Sequence, residues 1–306
     1  MEQKLLLAGV DGGGTKTECL VCDAGGNILG RGRAGASNPN GQGVEAAARA
    51  LCDAVEQALA GHSGTIELFA GIAGCFAPER SAALREALER RFPGIHAVVD
   101  SDARIGLSSM IGPDPDGVIA ISGTGASCFA RRNGELLRIG GWGYLFGDMG
   151  SGFELGRMAL MRTMRERDGL EPSSMLARMC EEMLGAPVQD RLTALYEGGR
   201  TYIASFATCV SMALNAGDAV AVEILEANAN GMAEHVAAAL RLLEKPDAPV
   251  VLTGTLWGVL PGYRERVGAL LPHANFVDAI RPPVAGAIWE AATRAGIPWD
   301  GQVVLP

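Results

Sequence analysis

The feature of this sequence that most limits its fold is a pattern that occurs twice, in which a short apolar strand runs into a turn of glycine and threonine. The first copy joins residues 5–10 to the turn 11–17, which reads Asp-Gly-Gly-Gly-Thr-Lys-Thr. The second joins residues 118–122 to Gly-Thr-Gly at 123–125. Each copy then continues as strand, turn and strand. Because the order of elements repeats although the residues do not, we predict two halves of similar topology.

The rest of the chain alternates short apolar strands with helical patterns, which indicates an α/β fold. In Val44–Leu59 the apolar side chains recur at helical spacing, and Pro78 and Pro283 are placed to begin further helices. Residues 153–244 show helical patterns without a clear strand. The second half should therefore carry a large helical insertion.

A run of glycine, proline and aspartate at residues 112–117 separates the two halves. It predicts an N-terminal domain over 1–116 and a C-terminal domain over 117–306, and the length of 306 residues fits two domains. Whether the final residues pack back on the first domain stays open at this point.

Composition narrows the class of protein. Asp and Glu exceed Lys and Arg by 35 to 26, and the net charge of −9 argues against nucleic acid or an anionic membrane as the main partner. No apolar run approaches the roughly 18 residues that a membrane helix needs. The first apolar stretch stops at Asp11, so no signal peptide is expected. Seven cysteines, an odd number, do not suggest a disulfide framework. We expect a cytoplasmic protein.

The first glycine turn combines a carboxylate, bare backbone amides and two hydroxyls. Glycine lets amide N–H groups approach phosphate oxygens closely, and the hydroxyls of Thr15 and Thr17 can donate to the same oxygens. Asp11 can hold Mg²⁺ through water, because this ion gives up its waters reluctantly. A glycine-rich hairpin without a ligand is the alternative interpretation.

The second turn, 123–125, would grip the same phosphate tail of ATP from the other side. Gly254 and Thr255, at the end of the predicted strand 249–253, are candidates for contact with adenosine, although a simple turn explains them equally well. The candidate nucleotide-binding residues are Asp11, Gly12, Gly13, Gly14, Thr15, Lys16, Thr17, Gly123, Thr124, Gly125, Gly254 and Thr255.

These motifs together resemble a known family. Besides the two turns, the chain has Ser-Asp-Ala at 101–103, Gly-Gly-Trp-Gly at 140–143 and Gly-Asp-Met-Gly-Ser at 147–151. The combination is similar to the N-acetylglucosamine kinases of the BadF/BadG/BcrA/BcrD ATPase family, within the sugar kinase, Hsp70 and actin superfamily. The resemblance covers nearly the whole chain. It implies two ribonuclease-H-like domains of the actin-like ATPase fold, the second enlarged by helices, with ATP and sugar in a central cleft.

By this resemblance Asp102 is the catalytic base that accepts the proton of the attacking sugar hydroxyl. It follows a short apolar strand, where open α/β sheets place ligands. From the residues alone the assignment stays open, because any of Asp100, Ser101 and Asp102 can cap the following helix. The sugar contacts carried over from the family are Asn38, Asp102, Ser127, Gly141, Trp142, Gly143 and Asp148. For Asn38, a turn made with Pro39 is an equal alternative.

Two departures from the family pattern bear on the sugar. Pro39 and Asn40 stand where a bulkier pair is expected, and Ala126 stands where a polar residue is usual. Both positions are near the expected place of the sugar 2-substituent. Glucosamine is therefore an alternative to N-acetylglucosamine as the acceptor.

The resemblance thus predicts a kinase that uses ATP and Mg²⁺ to form N-acetylglucosamine 6-phosphate, with a homodimer left open. Cys19 and Cys22 raise a second hypothesis, because the same family contains ATPase activators of dehydratases that hold an iron–sulfur cluster. Residues three apart in a strand point to opposite faces, which favours buried hydrophobes over a cluster site. A sugar-binding regulator without catalysis ranks last.

Overall fold

The computed structural model describes residues 4–299, and the chain divides into two compact units. Among the described residues, the first unit comprises 4–115, the short segment Asn133–Glu135 and 279–299. The second comprises Asp116–Arg132 and Leu136–Asp278. The first division falls inside the run of glycine, proline and aspartate at 112–117. No helix among residues 4–299 is long and apolar enough to cross a membrane.

Each unit is built on a five-stranded mixed sheet. The strands are β1 (Leu5–Gly12), β2 (Thr17–Asp23), β3 (Ile28–Ala34), β4 (Thr65–Ile72), β5 (Ile95–Asp100), β6 (Gly117–Ser122), β7 (Ala126–Arg132), β8 (Glu135–Ile139), β9 (Pro249–Thr253) and β10 (Asn275–Asp278). The first sheet has the order β3-β2-β1-β4-β5 and the second the order β8-β7-β6-β9-β10. In both, the central strand pairs antiparallel with the next strand of the chain and parallel with the fourth. The predicted repeat of topology is confirmed.

Helices cover the sheets. They are α1 (Pro39–Gln42), α2 (Val44–Leu59), α3 (Pro78–Arg91), α4 (Asp102–Ile111), α5 (Gly152–Arg167), α6 (Met175–Leu184), α7 (Leu192–Ser205), α8 (Ala207–Asn215), α9 (Ala219–Leu243), α10 (Leu256–Val259), α11 (Tyr263–Leu270) and α12 (Pro283–Arg294). A short 3-10 helix over Val188–Arg191 precedes α7. The bounds of α2 match the helical spacing of the sequence, and the predicted helical insertion corresponds to α5–α9.

The first sheet is buried on both faces, which explains why β1 reads as an unbroken apolar run. One face packs against α2 and α3 through residues such as Val10 and Leu51. The other packs against α4 and α12 through residues such as Leu7 and Ile288. A Cβ at Gly9 would lie 2.7 Å from the Ile288 backbone nitrogen, so glycine is what lets α12 approach β1.

The last helix lies outside the second unit, in keeping with the possibility that was left open for the end of the chain. The sequence suggested a second domain over 117–306, yet α12 packs in the first unit. The physical reason is its apolar stripe of Val284, Ala287, Ile288 and Ala291, which is buried on the first sheet. Residues 300–306 lie outside the described part of the chain.

Candidate active site

The turn between β1 and β2 is held by backbone hydrogen bonds. The Gly13 N–H donates to the Lys16 carbonyl at 2.9 Å, and the Ser37 N–H donates to the Gly13 carbonyl at 3.0 Å. A Cβ at Gly12 would collide with the Ser37 hydroxyl, so packing requires glycine there. A Cβ at Gly14 would meet nothing within 4 Å, and one at Gly13 only the Lys16 carbonyl, at 3.8 Å. Glycine at 13 and 14 therefore serves no packing need, which suits close approach of a ligand to bare backbone.

Thr17 differs from its predicted role as a phosphate contact. Its hydroxyl is buried and donates to the Gly35 carbonyl at 2.7 Å. This hydrogen bond connects the start of β2 to the residue that follows β3. Thr15 is exposed at the turn, and Lys16 extends outward with its Nζ 3.2 Å from Glu18. Of the two threonine hydroxyls, the one that can meet a ligand is that of Thr15.

Two aspartates lie level on the first sheet with a glycine between them. Asp11 of β1 is in register with Gly71 of β4, which is in register with Asp100 of β5. Neighbouring strands are about 4.8 Å apart, so the backbones of β1 and β5 are about 10 Å apart here. A Cβ at Gly71 would crowd the Ile105 side chain. Asp102 follows at the start of α4, at the edge where the parallel strands end and where such sheets place ligands.

Hydrogen bonds distinguish the three residues that could each cap α4. Asp100 forms an ion pair with Arg104 at 2.5 Å and accepts the Ser101 N–H at 2.6 Å. Ser101 is the N-cap, and its hydroxyl accepts the Ala103 N–H at 3.2 Å. Asp102 is the first helical residue, and its Oδ1 accepts from the Ser101 hydroxyl at 3.1 Å and the Ala103 N–H at 3.0 Å. All three side chains thus make contacts at the start of α4, but of the two carboxylates it is Asp102 whose charge acts on Asp11, which favours Asp102 as the one that serves a ligand.

Asp11 and Asp102 interact electrostatically. Burial raises the pKa of Asp11 from its ordinary value of 3.8 to about 6, and the charge of Asp102 adds to the rise. A divalent cation beside Asp11 would offset both effects. Within residues 4–299 no three His, Cys, Asp or Glu side chains form a metal site. The carboxylates of Asp11 and Asp102 are fewer than three, which fits Mg²⁺, because proteins often hold this ion by one or two carboxylates together with water and substrate phosphates.

The second glycine turn is joined to the start of α5. The Gly123 N–H donates to the Gly125 carbonyl at 2.9 Å, and the Gly123 carbonyl accepts the Gly152 N–H at 2.8 Å. The Phe153 N–H donates to the carbonyl of Thr124, which is exposed at the turn. The turn is thus fixed to the N-terminus of α5, whose first two N–H groups donate to carbonyls of the turn while the third donates to the Ser151 hydroxyl.

A cavity of about 420 Å³ opens beside this turn in the second unit. Gly123, Thr124 and Thr255 line it, which brings together three of the predicted nucleotide contacts. The cavity is also lined by four small polar side chains on α7 and α8, namely Thr201, Ser205, Thr208 and Ser211. These four were missed from the sequence. Their spacing of three and four residues places them on one helical face, a signal that could have identified them.

Gly254, predicted to contact adenosine, has a packing role. Its φ is +101°, and a Cβ there would collide with the backbone of Ser122. Glycine lets the end of β9 lie against the end of β6, so a turn explains this residue. A contact with adenosine remains a prediction for Gly254, whereas Thr255 lines the cavity.

The loop after β8 exposes a tryptophan between glycines. Gly140, Gly141 and Gly143 all have positive φ, from +66° to +94°, a conformation that glycine adopts readily. Trp142 is 65% exposed, and the Arg138 guanidinium lies 5.5 Å from its ring centroid. A Cβ at Gly141 would collide with Ser127. The structure therefore brings together four of the predicted sugar contacts, Ser127, Gly141, Trp142 and Gly143.

Asp148 differs from a simple sugar contact. Only 6% of the residue is exposed. Its Oδ2 lies 2.8 Å from Arg200 Nη2, and its Oδ1 accepts the Gly143 N–H at 3.1 Å. Both carboxylate oxygens are thus engaged by the protein. Arg200 was not identified from the sequence, because its position in the middle of a helical pattern gives no sign of this partner.

Asn38 adopts the turn that the sequence offered as its alternative. It is the N-cap of α1, and its side-chain oxygen accepts the Asn40 N–H at 2.9 Å. Pro39 is buried at the first position of that helix, and Asn40 accepts a hydrogen bond from Arg80. Contact of Asn38 with a sugar remains a prediction.

Comparison with known proteins places the chain in a family. The family model described as the BadF/BadG/BcrA/BcrD ATPase family matches residues 8–288. The chain belongs to the BadF/BadG/BcrA/BcrD ATPase family. A relative from Clostridium acetobutylicum, named N-acetylmuramic acid/N-acetylglucosamine kinase, is 30% identical over 82% of this chain and 84% of its own. An N-acetyl-D-glucosamine kinase of Dictyostelium discoideum is 27% identical over 93% and 97%.

A solved structure supports the same assignment. The crystal structure of a candidate N-acetylglucosamine kinase from Chromobacterium violaceum superposes on this family member with a TM-score of 0.73. The alignment has 26% identity and covers 95% of this chain and 99% of the other. The fold predicted from the resemblance, the two-domain sugar kinase type, is confirmed.

The cysteines of this family member give no sign of a cluster site. Cys19 packs in the core under α2 and α3, and Cys22 packs in the core under α4 and α12, so the two lie on opposite faces of the sheet as predicted. Burial raises the pKa of both thiols. Within the described residues no group of three metal-ligating side chains includes them.

Proposed function

We propose that this protein transfers the γ-phosphoryl group of ATP to the 6-hydroxyl of N-acetylglucosamine. The observation that carries the proposal is the position of Asp102 at the ligand edge of the sheet, where its charge acts on Asp11, whereas Asp100 pairs with Arg104. The names of two relatives that align over more than four-fifths of this chain support the acceptor.

Asp102 would accept the proton of the sugar hydroxyl as that oxygen attacks phosphorus, a contribution of about 10²–10⁴ in rate. The Gly14 N–H and the Thr15 hydroxyl would donate to phosphate oxygens, while Gly13, whose N–H already donates to Lys16, would leave room for the phosphate to approach. The nucleoside end of ATP would occupy the 420 Å³ cavity, with Thr255 on one wall. When bound, Mg²⁺ supplies charge neutralisation on the phosphates, and Asp11 is the residue that would hold it through water.

The sugar would lie against Trp142, with Ser127 and the backbone of Gly141 offering hydrogen bonds, while Gly143, whose N–H is held by Asp148, shapes the loop. Ala126 is 6% exposed and presents only a methyl group, so it offers no side-chain hydrogen bond to an acetyl group. Glucosamine is therefore the second candidate acceptor. We also propose a cytoplasmic location, in keeping with seven free cysteines, and a homodimer, which light scattering on the purified protein would test.

The test is ADP release across a panel of N-acetylglucosamine, glucosamine, N-acetylmannosamine and glucose. We expect the highest kcat/KM with N-acetylglucosamine. Asp102→Asn should lower kcat by at least about a hundredfold while retaining nucleotide binding. Asp100→Asn is the matched control, because it removes a neighbouring carboxylate that pairs with Arg104, and it should keep most of the activity. Near-normal turnover of Asp102→Asn, or equal losses in both variants, would overturn the assignment.

A further inference from the structure

The ion pair between Arg200 and Asp148 contacts three parts of the second unit: helix α7, the loop that exposes Trp142 and the second glycine turn. Arg200 of α7 donates to Asp148 at 2.8 Å. Asp148 in turn accepts the N–H of Gly143, so it holds the backbone of the loop that exposes Trp142. A Cβ at Gly125 would collide with the Arg200 guanidinium and lie 2.9 Å from Asp148, so the pair packs directly against the second glycine turn.

Because Asp148 is buried, its carboxylate depends on a partner for its charge. The Asp148 side chain is only 4% exposed, and an ionised carboxylate out of water needs a charged or hydrogen-bonding partner. Arg200 supplies it, and the Tyr144 ring centroid lies 6.0 Å from the guanidinium of this arginine, whose side chain stays 39% exposed. Removing Arg200 alone would therefore leave the buried Asp148 carboxylate with only the weaker influence of the Arg138 charge.

The backbone before Arg200 is shaped for this contact. Gly199 has φ +62° and breaks α7 immediately before Arg200. An L side chain rarely adopts this conformation, and nothing lies within 4 Å of a Cβ there, so the requirement for glycine is conformational. Directly after Arg200, the same helix carries Thr201 and Ser205 into the wall of the 420 Å³ cavity.

We propose that Arg200 is a positioning residue whose ion pair with Asp148 couples the Trp142 loop to the nucleotide cavity. A nucleotide held against Thr201 and Ser205 fixes this part of α7. Arg200 and Asp148 then hold Gly143, and with it Trp142, in the arrangement that receives the sugar. Coupling of this kind is reciprocal, so bound sugar strengthens nucleotide binding by the same factor. The inference rests on the proposed function.

The simpler alternative is that Asp148 binds the sugar and Arg200 only stabilises the fold. Three variants distinguish this alternative from the proposed coupling. Arg200→Met removes the cation, Asp148→Asn removes the charge but keeps an acceptor for Gly143, and the double variant leaves no unpaired buried charge. Arg162→Met is the control, because Arg162 pairs with the buried Glu166 at 2.8 Å and with Glu171 at 3.3 Å, and none of these residues lines the 420 Å³ cavity.

We expect Arg200→Met to raise the sugar KM by about 10- to 100-fold, the size expected for a lost charge-assisted hydrogen bond, with a smaller effect on kcat. Sugar affinity by calorimetry should no longer depend on a non-hydrolysable ATP analogue. The double variant should recover thermal stability but not this dependence. Arg162→Met should lose stability and keep both KM and coupling. If Arg200→Met keeps the wild-type dependence, or if the double variant restores it, the proposal is wrong.

A second readout does not require turnover. The chain has four tryptophans, so fluorine NMR of protein labelled with fluorinated tryptophan gives few signals, and Trp142→Phe assigns the one of interest. Addition of the ATP analogue should shift the Trp142 signal in wild type and in Arg162→Met, but not in Arg200→Met. A wild-type shift without phosphorylation of any amino sugar would reject the proposed function and leave the coupling standing. No wild-type shift would reject the coupling.

Discussion

Replacement of Asp11 by asparagine should make the protein more stable at neutral pH. The pKa of Asp11 is raised from 3.8 to about 6, mainly by burial and further by Asp102. One pH unit corresponds to about 1.36 kcal/mol, so holding Asp11 ionised in the folded state costs up to about 3 kcal/mol. Asparagine carries no charge in either state and avoids this cost. The candidate nucleotide site thus keeps a carboxylate that the unliganded fold would be more stable without.

The stability difference between wild type and Asp11→Asn should depend on pH. Between pH 3.8 and about 6 the folded protein binds more protons at Asp11 than the unfolded chain does. The contribution of this group to the free energy of unfolding therefore falls as pH rises through that window, and the loss is complete above it. Wild type and Asp11→Asn should have equal stability near pH 4. The variant should be the more stable above pH 6.

Urea unfolding from pH 4 to 8, with a chelator to remove divalent cations, measures the difference. With a slope of about 3 kcal/mol per molar urea, 3 kcal/mol moves the midpoint by about 1 M. Asp23→Asn is a control of opposite sign, because a hydrogen bond from the Asn27 side chain lowers the pKa of Asp23 and its loss should destabilise. If Asp11→Asn unfolds at or below the wild-type midpoint at pH 7, holding Asp11 ionised in the folded protein does not lower its stability, and the prediction is wrong.

Two further predictions concern the first glycine turn. Gly12→Ala should destabilise the protein by about 1–3 kcal/mol because its Cβ would collide with neighbours. Gly14→Ala should leave the urea midpoint unchanged and raise the KM for ATP; equal midpoints for the two variants would contradict the packing distinction. Thr17→Val should lower stability by about 1–2 kcal/mol through loss of the bond to Gly35, whereas Thr15→Ala should change the KM for ATP without changing stability. An unstable Thr15→Ala or an unaffected Thr17→Val would reverse these roles.

Much of the fold could be predicted because its elements are local. The strands and the helix Val44–Leu59 follow from apolar spacing, and the order of elements around the two glycine turns predicted two sheets of the same topology. The packing of α12 on the first sheet could not be predicted with certainty, because its apolar stripe gives no indication of which sheet it covers.

Less of the candidate site than of the fold could be predicted from the sequence. Sequence patterns select residue types suited to phosphate or sugar, but they do not show which of them the fold already uses. Thr17 and Asp148 have suitable chemistry, yet each is buried against a protein partner. Arg200 lies in a helical pattern, and its role depends on Asp148, 52 residues earlier in the chain. Such long-range partners become visible only in three dimensions.

The position of α12 has a consequence for how the chain is made. Its contacts with β1 and α4 join residues near 10 and 105 to residues near 288, whereas the second unit is contained within 116–278. During synthesis, about 170 residues separate the end of α4 from the start of α12, which takes on the order of 10 to 35 seconds at ribosomal rates. Throughout this interval the Leu7 and Phe69 face of the first sheet has no helix α12 to cover it. The second unit can fold while the first waits, so nascent-chain aggregation or chaperone binding should concentrate on that uncovered sheet.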